Sequence, residues 1–185
     1  GALVDFYVAK HDYESGLNGA GRTLVVRKDC YDYREWDSSK VGDWASCTVL
    51  SWLNSEYKAL LGTGIQQFMG ATAYYYTSNN NDWSVSTRSD AVFLLSATEL
   101  GQSGGSFNVE GTALPIASTL QVAHIDGRAS TQWTRSPVKR VPRSVIGLYT
   151  SGAFTYVNCT LTYGSRPAFT LLSSILLNDN SEIIA

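Results

Sequence analysis

The sequence is poor in charged residues, and this scarcity limits the functions that it can serve. Asp, Glu, Lys and Arg make up only 16% of its 185 residues, and the formal net charge is −2. In an average soluble domain, roughly a quarter of all residues are charged. The one basic cluster is Lys139, Arg140 and Arg143. Because nucleic-acid binding draws on a longer basic stripe, no nucleic-acid partner is predicted.

Long apolar runs are lacking as well. The longest, such as residues 91–95 and 175–177, are far shorter than the roughly 20 apolar residues of a membrane-spanning helix. The chain begins with Gly1 and has no secretion signal, which favours a fragment of a longer polypeptide or a processed product. No membrane insertion is predicted.

Metal-binding patterns are also few. Cys30, Cys47 and Cys159 follow no Cys-x-x-Cys or Cys/His spacing, which predicts buried free thiols rather than a zinc site. Residues 79–82 are rich in side-chain oxygen and could ligate calcium, but a solvated loop is the favoured interpretation. We therefore expect no metal and no other cofactor, and ligand binding that is independent of calcium.

The residues that would carry catalysis show no informative arrangement. His11 and His124 lie outside any catalytic motif, and neither a Gly-x-Ser-x-Gly elbow nor a P-loop is present. The sequence therefore predicts a protein that is not an enzyme. A glycan hydrolase that uses carboxylates such as Asp90, Glu99 or Glu110 stays open as an alternative, although their spacing carries no signal.

What the chain does contain is a series of short patterns that favour an α+β fold. An apolar stripe predicts a helix at residues 46–61, capped by Ser46 and ended by Gly62, with a shorter helix at 64–70. Residues 30–44 have no clean period and predict a loop. Strands are predicted at 4–8, 23–27, 73–76, 91–96, 132–135, 144–150, 153–158 and 166–172, the last with a possible extension at 175–177.

The order of these elements indicates one domain over residues 1–185. Ser151 and Gly152 predict a tight hairpin turn between the strands at 144–150 and 153–158. Helices come early and strands come late, with a strand at each end. This order predicts a mainly antiparallel sheet with two helices rather than an alternating doubly wound fold.

Four motifs in a fixed order resemble a single protein family. They are Ser51-Trp52-Leu53-Asn54; Val92-Phe93-Leu94-Leu95-Ser96 followed by Glu99-Leu100-Gly101; Trp133-Thr134-Arg135-Ser136-Pro137; and Gly164-Ser165-Arg166-Pro167-Ala168-Phe169. Together they resemble the DUF6273 type of domain, which is frequent in gut Firmicutes and their phages, often in tail or minor structural proteins. The resemblance extends from about residue 23 to about residue 178.

That family is similar to the C-type-lectin-like domains of formylglycine-generating enzymes and to the variable proteins of diversity-generating retroelements. The resemblance implies a C-type-lectin-like fold in which Trp133 and Arg135 belong to a constant framework. Formylglycine generation needs two cooperating cysteines near the C terminus, and only Cys159 lies there, so that activity is not implied. Arg166 is expected to pair with a buried carboxylate, with Glu99 and Asp126 as candidates.

The resemblance also implies that residues 138–163 face a ligand. Their mixture of tyrosines with basic and apolar residues, without an amphipathic period, is typical of a recognition surface, while an ordinary edge hairpin is the alternative. The candidate ligand-binding residues are Val138, Lys139, Arg140, Val141, Arg143, Ile146, Leu148, Tyr149, Tyr156, Asn158, Thr160 and Tyr163.

The function predicted from these features is recognition of a bacterial surface glycan or protein by a phage tail, within a virion. A protein of the bacterial cell surface is the alternative location. Trimers are common in tail assemblies, so a homotrimer is the suggested oligomer, although the sequence has no coiled-coil stretch to enforce one. A structural tail component without a ligand remains a second interpretation.

Overall fold

Short strands dominate the computed structural model, which describes residues 4–78, 83–172, 176–177 and 183–184. The strands are β1 (Phe6–Lys10), β2 (Arg22–Arg27), β3 (Asp32–Glu35), β4 (Thr72–Thr77), β5 (Val85–Asp90), β6 (Ala123–Ile125), β7 (Arg128–Ser130), β8 (Gln132–Pro137), β9 (Ser144–Leu148), β10 (Phe154–Asn158), β11 (Thr162–Ser165), β12 (Ala168–Leu172), β13 (Leu176–Leu177) and β14 (Ile183–Ile184). The α-helices are α1 (Ser15–Asn18), α2 (Thr48–Trp52), α3 (Lys58–Leu60), α4 (Thr63–Gln66) and α5 (Ala117–Leu120). The predicted α+β class is confirmed.

Two sheets organise the domain. Strands β1, β2 and β12 form an antiparallel sheet with β2 at its centre, which brings the first strand of the chain together with β12. The larger sheet has the order β10-β9-β8-β11-β3, in which β11 meets β8 through a single bridge between Gly164 and Gln132. Side chains from both sheets and from α2 pack into one hydrophobic core.

The helix predicted at residues 46–61 is present but divided. It opens with a 3-10 turn at Trp44–Ser46, continues through α2, passes into a π-helical turn at Leu53–Tyr57 and ends with α3. The predicted cap at Ser46 is wrong. Cys47, in an extended conformation, precedes α2, and the Ser46 hydroxyl instead lies 3.3 Å from Asp43 Oδ2.

Within the Trp-Leu-Asn motif of this helix, Asn54 has a clear structural role. Its Nδ2 donates to the Leu50 carbonyl, the acceptor that the Asn54 N–H would use in a regular α-helix, and the π-helical turn coincides with this competition. Its Nδ2 also donates to Val92 O, and its Oδ1 accepts from Ala91 N and Val92 N. The side chain therefore ties the helix to the buried segment that follows β5.

That buried segment differs from the strand predicted at 91–96. Residues 92–96 are buried as expected, but only Phe93 joins a ladder, through a bridge to Ala168. Asn54 and Arg135 take several of the remaining backbone groups of the segment. The loop predicted at 30–44 contains β3, because β11 supplies a strand partner that a local pattern cannot show.

Other predicted helices and strands are present, but they begin or end at different residues. The helix predicted at 64–70 shortens to α4, and the strand predicted at 4–8 becomes β1. The hairpin turn at Ser151 and Gly152 is confirmed, with Gly152 at φ 84° and its N–H bonded to Tyr149 O. Strand β12 confirms most of the strand predicted at 166–172. Of its predicted extension, Leu176 and Leu177 form β13, while Ile175 lies outside the described residues, as does the candidate calcium loop at 79–82.

A bulge in β8 turns Arg135 into the core. Trp133 pairs with Gly147 and Pro137 with Val145, so the three residues between them face a single residue of β9. The Arg135 side chain is fully buried. Its Nη1 donates to Glu99 Oε2 at 2.7 Å and to Leu94 O at 2.8 Å, and its Nε donates to Tyr75 O at 2.9 Å.

Two buried carboxylates surround this guanidinium. Glu99 also accepts from the Tyr13 hydroxyl and from Ser96 N, while Glu110 accepts from the Ser136 hydroxyl and from Thr77 N. Glu110 Oε2 lies 4.0 Å from Arg135 Nε. Burial raises the pKa of Glu110, and the charge of Arg135 opposes that rise. Arg135 is buried, as expected for a framework residue, and so is Trp133, whose indole N–H donates to Arg34 O.

The partner predicted for Arg166 is wrong. Its guanidinium is buried but donates to backbone carbonyls, chiefly those of Arg27, Lys28 and Leu120, rather than to a carboxylate. The end of β2 and the end of α5 present these carbonyls together, and a planar guanidinium with five donors can bind them all at once. Glu99 is already bound to Arg135.

The three cysteines are free and buried, as predicted. Burial raises the pKa of the Cys30 thiol to about 12, so this side chain is a protonated packing group at neutral pH. Within the part of the chain that the structure describes, no helix has the length and apolar character needed to cross a membrane.

We expect Arg135→Met to lower the free energy of unfolding by about 3–5 kcal/mol, because it leaves two carboxylates buried without their counter-charge. Lys28→Met is the matched control, since its ion pair with Asp5 is exposed at 3.3 Å and should contribute less than about 1 kcal/mol. Urea unfolding of both variants gives the comparison. Similar losses for the two would contradict the central role of Arg135.

Gly164 offers a second test of the packing. A Cβ atom at this position would lie 2.5 Å from Thr131 O and 2.6 Å from Cys30 Sγ, so we expect Gly164→Ala to cost about 1–3 kcal/mol or more. Gly16, in α1, has no atom within 4 Å of such a Cβ, and Gly16→Ala should gain about 0.5–1 kcal/mol. Chemical denaturation measures both. A tolerated Gly164→Ala would show that the β8–β11 contact is looser than described.

Candidate functional site

Three loops meet at one end of the larger sheet and form the surface that we call the tip, made of residues 37–43, 138–143 and 158–161. Cys159 N donates to Arg143 O at 2.8 Å, and Asp37 N donates to Cys159 O at 3.0 Å. Gly42 packs so closely on the second loop that a Cβ there would lie 3.1 Å from Arg143 Cα. The tip is therefore one connected surface built from segments far apart in the sequence.

A buried carboxylate holds the first of these loops. Asp37 accepts hydrogen bonds from Ser39 N at 3.1 Å, from the Ser39 hydroxyl at 2.7 Å, and from Val41 N and Gly42 N at 2.9 Å each. Burial alone would raise the pKa of this carboxyl, but the hydrogen bonds, led by that of Gly42, outweigh burial and lower it. The sequence analysis did not select Asp37, although an Asp before a Ser-, Lys- and Gly-containing segment is a signal for such a turn.

The second loop is held by backbone contacts. Val138 N donates to Ser144 O at 2.8 Å, and Lys139 N donates to Ser106 O at 2.6 Å. Arg140 and Arg143 both have positive φ, at 59° and 64°. The side chains of this loop thus project from a backbone that is fixed by its own turns and by the segment that contains Ser106.

Several of the candidate ligand-binding residues lie at the tip. Lys139, Arg140, Val141, Arg143 and Asn158 are exposed, and Thr160 is half-buried. Asn158 Oδ1 accepts from both the backbone N–H and the hydroxyl of Thr160, which fixes the third loop.

Tyr149 and Tyr163 lie on one face of the larger sheet. Tyr149 belongs to the turn between β9 and β10, at the end of these strands opposite to the tip. The Tyr163 ring packs against Trp133 at a tilt of 30° with centroids 4.8 Å apart, and it covers Gly147, where a Cβ would lie 3.0 Å from the ring. Burial raises the pKa of Tyr163, with a further contribution from Tyr149. The Tyr149 hydroxyl lies 3.1 Å from that of Thr155, and half of the Tyr149 side chain is exposed.

Tyr156 points to the opposite face. It follows Thr155 in β10, and successive side chains of a strand alternate between faces. Its hydroxyl donates to Ser106 Oγ at 2.7 Å, and it is 63% exposed.

Three candidate residues belong to the core, so their prediction as ligand contacts is wrong. Val138, Ile146 and Leu148 are at most 2% exposed. Val138 and Ile146 pack against Phe107 in a small apolar cluster, and Leu148 lies in the main core. Ile146 and Leu148 occupy alternate positions of β9 that face inward, and Val138 packs inward where the loop leaves β8.

An open groove of about 440 Å³ lies beside the β3 edge and was not predicted. The Arg34 guanidinium forms part of its lining and sits 3.6 Å above the Trp52 ring, while Asp32 binds the same guanidinium at 2.8 Å. Strand β3, the α2 region and Thr162 all contribute to the groove, and this separation in sequence explains why no motif revealed it.

The carboxylates proposed for a hydrolase are not arranged around this groove or the tip. Glu99 and Glu110 are at most 1% exposed and bind Arg135 and its neighbours. Asp90 binds Arg88 at 2.6 Å and accepts from the Tyr74 hydroxyl. A substrate does not reach a carboxylate that is sealed in the core, which weakens the hydrolase alternative.

The lowered pKa of Asp37 predicts how the tip responds to acid. Because the folded pKa is depressed, its stabilising effect is complete above about pH 4 and is lost as pH falls through the lowered value. We expect hydrogen-exchange protection of Val41 and Gly42, relative to core amides of β9, to stay constant from about pH 7 to about pH 4 and to fall as the pH is lowered further. In Asp37→Asn, this protection should be weaker at neutral pH and should show no further acid step. Unchanged protection of the wild-type amides at low pH would contradict the assignment.

Comparison with known proteins places the chain in a family. No curated protein and no solved structure matches it. The family model described as "Domain of unknown function (DUF6273)" matches residues 20–173, a span that contains all four sequence motifs and every loop of the tip. The chain therefore belongs to the DUF6273 family.

Proposed function

We propose that this chain is a receptor-binding domain of a phage tail, or of a related bacterial surface protein, and that it recognises a bacterial surface glycan or protein. One observation carries the proposal: the buried motif residues form a rigid framework, while the tip presents side chains that the fold does not use. Arg135 and Trp133 represent the first group, and Lys139, Arg140 and Arg143 the second.

The rigidity of the tip supports a binding role. Its loops are held by Asp37, by the contact between Cys159 and Arg143, and by the contact between Lys139 and Ser106. A surface fixed before contact loses less conformational entropy when a ligand binds. The exposed Tyr149 adds a large and rigid amphipathic group at the other end of β9.

The same framework supports the finer parts of the proposal. A C-type-lectin-like fold is favoured by the strand-rich α+β architecture together with the buried Trp-x-Arg and Gly-x-Arg-Pro motifs. Exposed tip residues can change without disturbing buried contacts, which suits diversification by a retroelement. A homotrimer in a tail would add multivalency to weak single sites.

The first test is binding of the fluorescently labelled domain to a panel of gut Firmicutes. The test variant carries alanine at Lys139, Arg140, Arg143, Tyr149 and Tyr156. The matched control carries alanine at His11, Lys28, Lys58, Leu60 and Arg128, which lie outside the tip. We expect wild type and control to bind some strains and the test variant to lose most of that binding, with circular dichroism confirming the fold of each.

Other outcomes separate the alternatives. Equal binding by the test variant would show that this surface does not carry recognition. If the wild type binds no strain even when displayed as a multimer, a structural tail role replaces the proposal. Loss of binding in chelator would overturn the expected independence from calcium.

A further inference from the structure

At the tip, several positively charged residues adopt an unusual backbone conformation. Seven non-glycine residues in the described ranges have positive φ, and three of them are the tip residues Lys40, Arg140 and Arg143, at 65°, 59° and 64°. Side chains with a Cβ rarely adopt this region, and Gly, Asn and Asp are the residues that normally occupy it. The chain therefore places long cationic side chains where the backbone alone would favour Gly or Asn.

These side chains have no structural task in the described part of the molecule. Lys40, Lys139, Arg140 and Arg143 are exposed, and their charged groups form no hydrogen bond or ion pair with any described residue. The carboxylate of Asp37, the buried acid of the same surface, is occupied by its own loop. The backbone is strained at three of these residues, and no local contact of their side chains offsets the strain. Such positions point to a function.

The charge balance of the tip differs from that of the chain. Residues 37–43 and 138–143 contain four cationic and two acidic side chains, whereas the whole chain has a formal charge of −2. Arg140 and Arg143 carry planar guanidinium groups, which bind phosphate or carboxylate oxygens with two parallel hydrogen bonds. The tip is thus a local site of attraction for oxyanions on a protein that is otherwise weakly acidic.

We propose that the tip binds the repeated anionic groups of a bacterial cell-surface polymer, with Lys40, Lys139, Arg140 and Arg143 as the contacting residues. The inference rests on the proposed receptor-binding function and gives its ligand a chemical class. The shared chemistry is a chain of oxyanions, carried either by phosphodiesters or by sugar carboxylates. Lys40 is a new member of the site, because it lies about a hundred residues before the stretch that the family resemblance selects.

A cell-surface polymer fits this surface better than a nucleic acid. Duplex binding proteins commonly neutralise about 6–10 phosphates, and the tip has only four cations. Exposed Val41 and Val141 follow Lys40 and Arg140 directly in the sequence. Such side chains pack against the aliphatic carbons of a sugar or glycerol backbone, but they contribute nothing to phosphate contacts along a duplex.

The test compares immobilised poly(glycerol phosphate), a polyuronate, neutral dextran and duplex DNA, alongside intact cells. The tip variant Lys40→Asn/Arg140→Asn/Arg143→Asn removes three charges and keeps a residue suited to positive φ. The control Lys28→Asn/Lys58→Asn/Arg128→Asn removes the same number of charges outside the tip. Arg140→Lys/Arg143→Lys retains charge.

We expect the wild type to bind at least one of the two polyanions and not dextran. Its affinity should fall by up to about 50-fold between about 50 and 200 mM salt, the value for four ionic contacts at a slope of about 0.7 each. The tip variant should bind at least about tenfold more weakly, without a lower thermal midpoint. The control should change by less than about twofold, and the lysine variant should keep most binding. Preference for one polyanion identifies the source of the oxyanion.

Several results overturn the inference. A tip variant that binds the polymers like the control removes the role of these cations, and a wild type that prefers DNA moves the ligand to another class. The salt titration needs no variant, so a salt-independent affinity is also decisive. If the wild type binds cells but no polyanion, only this inference fails. If it binds neither cells nor polymers, even as a multimer, the proposed function fails with it.

Discussion

The structure depends on one buried cation. Arg135 donates to backbone carbonyls of β4 and of the segment after β5, and it pairs with Glu99 beside Glu110. These partners come from four separate stretches of the chain. Taking a guanidinium and two carboxylates out of water is costly, so the arrangement is stable only while every partner stays in place. The bulge that directs Arg135 inward lies in β8, the strand from which the second loop of the tip leaves.

The tip uses a similar principle nearer the surface. Asp37 is buried, yet its hydrogen bonds keep the pKa of its carboxyl low, so the charged form holds the loop at neutral pH. The cations around it face solvent instead. The domain thus has a buried carboxylate whose hydrogen bonds hold a loop, next to exposed positive charges that hold no part of the fold. The recognition that we propose for this surface rests on this asymmetry rather than on net charge.

Sequence patterns predicted the parts of the fold that local chemistry decides. The helix around Leu50 and Leu53, the Gly152 turn and the buried 92–96 segment follow from period and residue type. Strands β3 and β5 were missed because their residues are largely polar and the pairing partner, not the pattern, makes them strands. For the candidate site, the sequence selected basic and tyrosine residues, whereas Lys40 and Asp37 enter through a contact between distant loops. The buried Val138, Ile146 and Leu148 could not be separated from their exposed neighbours without the register of β9.

The register also limits how much of residues 138–163 one ligand can touch. Tyr149 and Tyr163 lie on one face of the sheet, and Tyr156 lies on the other with its hydroxyl on Ser106. Because β10 is the edge strand, a small ligand contacts one face, and only a partner that wraps the edge reaches both. The tip lies at one end of β10, and the turn that contains Tyr149 lies at the other. A long polymer that follows the edge and is held at the tip satisfies this geometry, whereas a single sugar would use only a fraction of the exposed tyrosines.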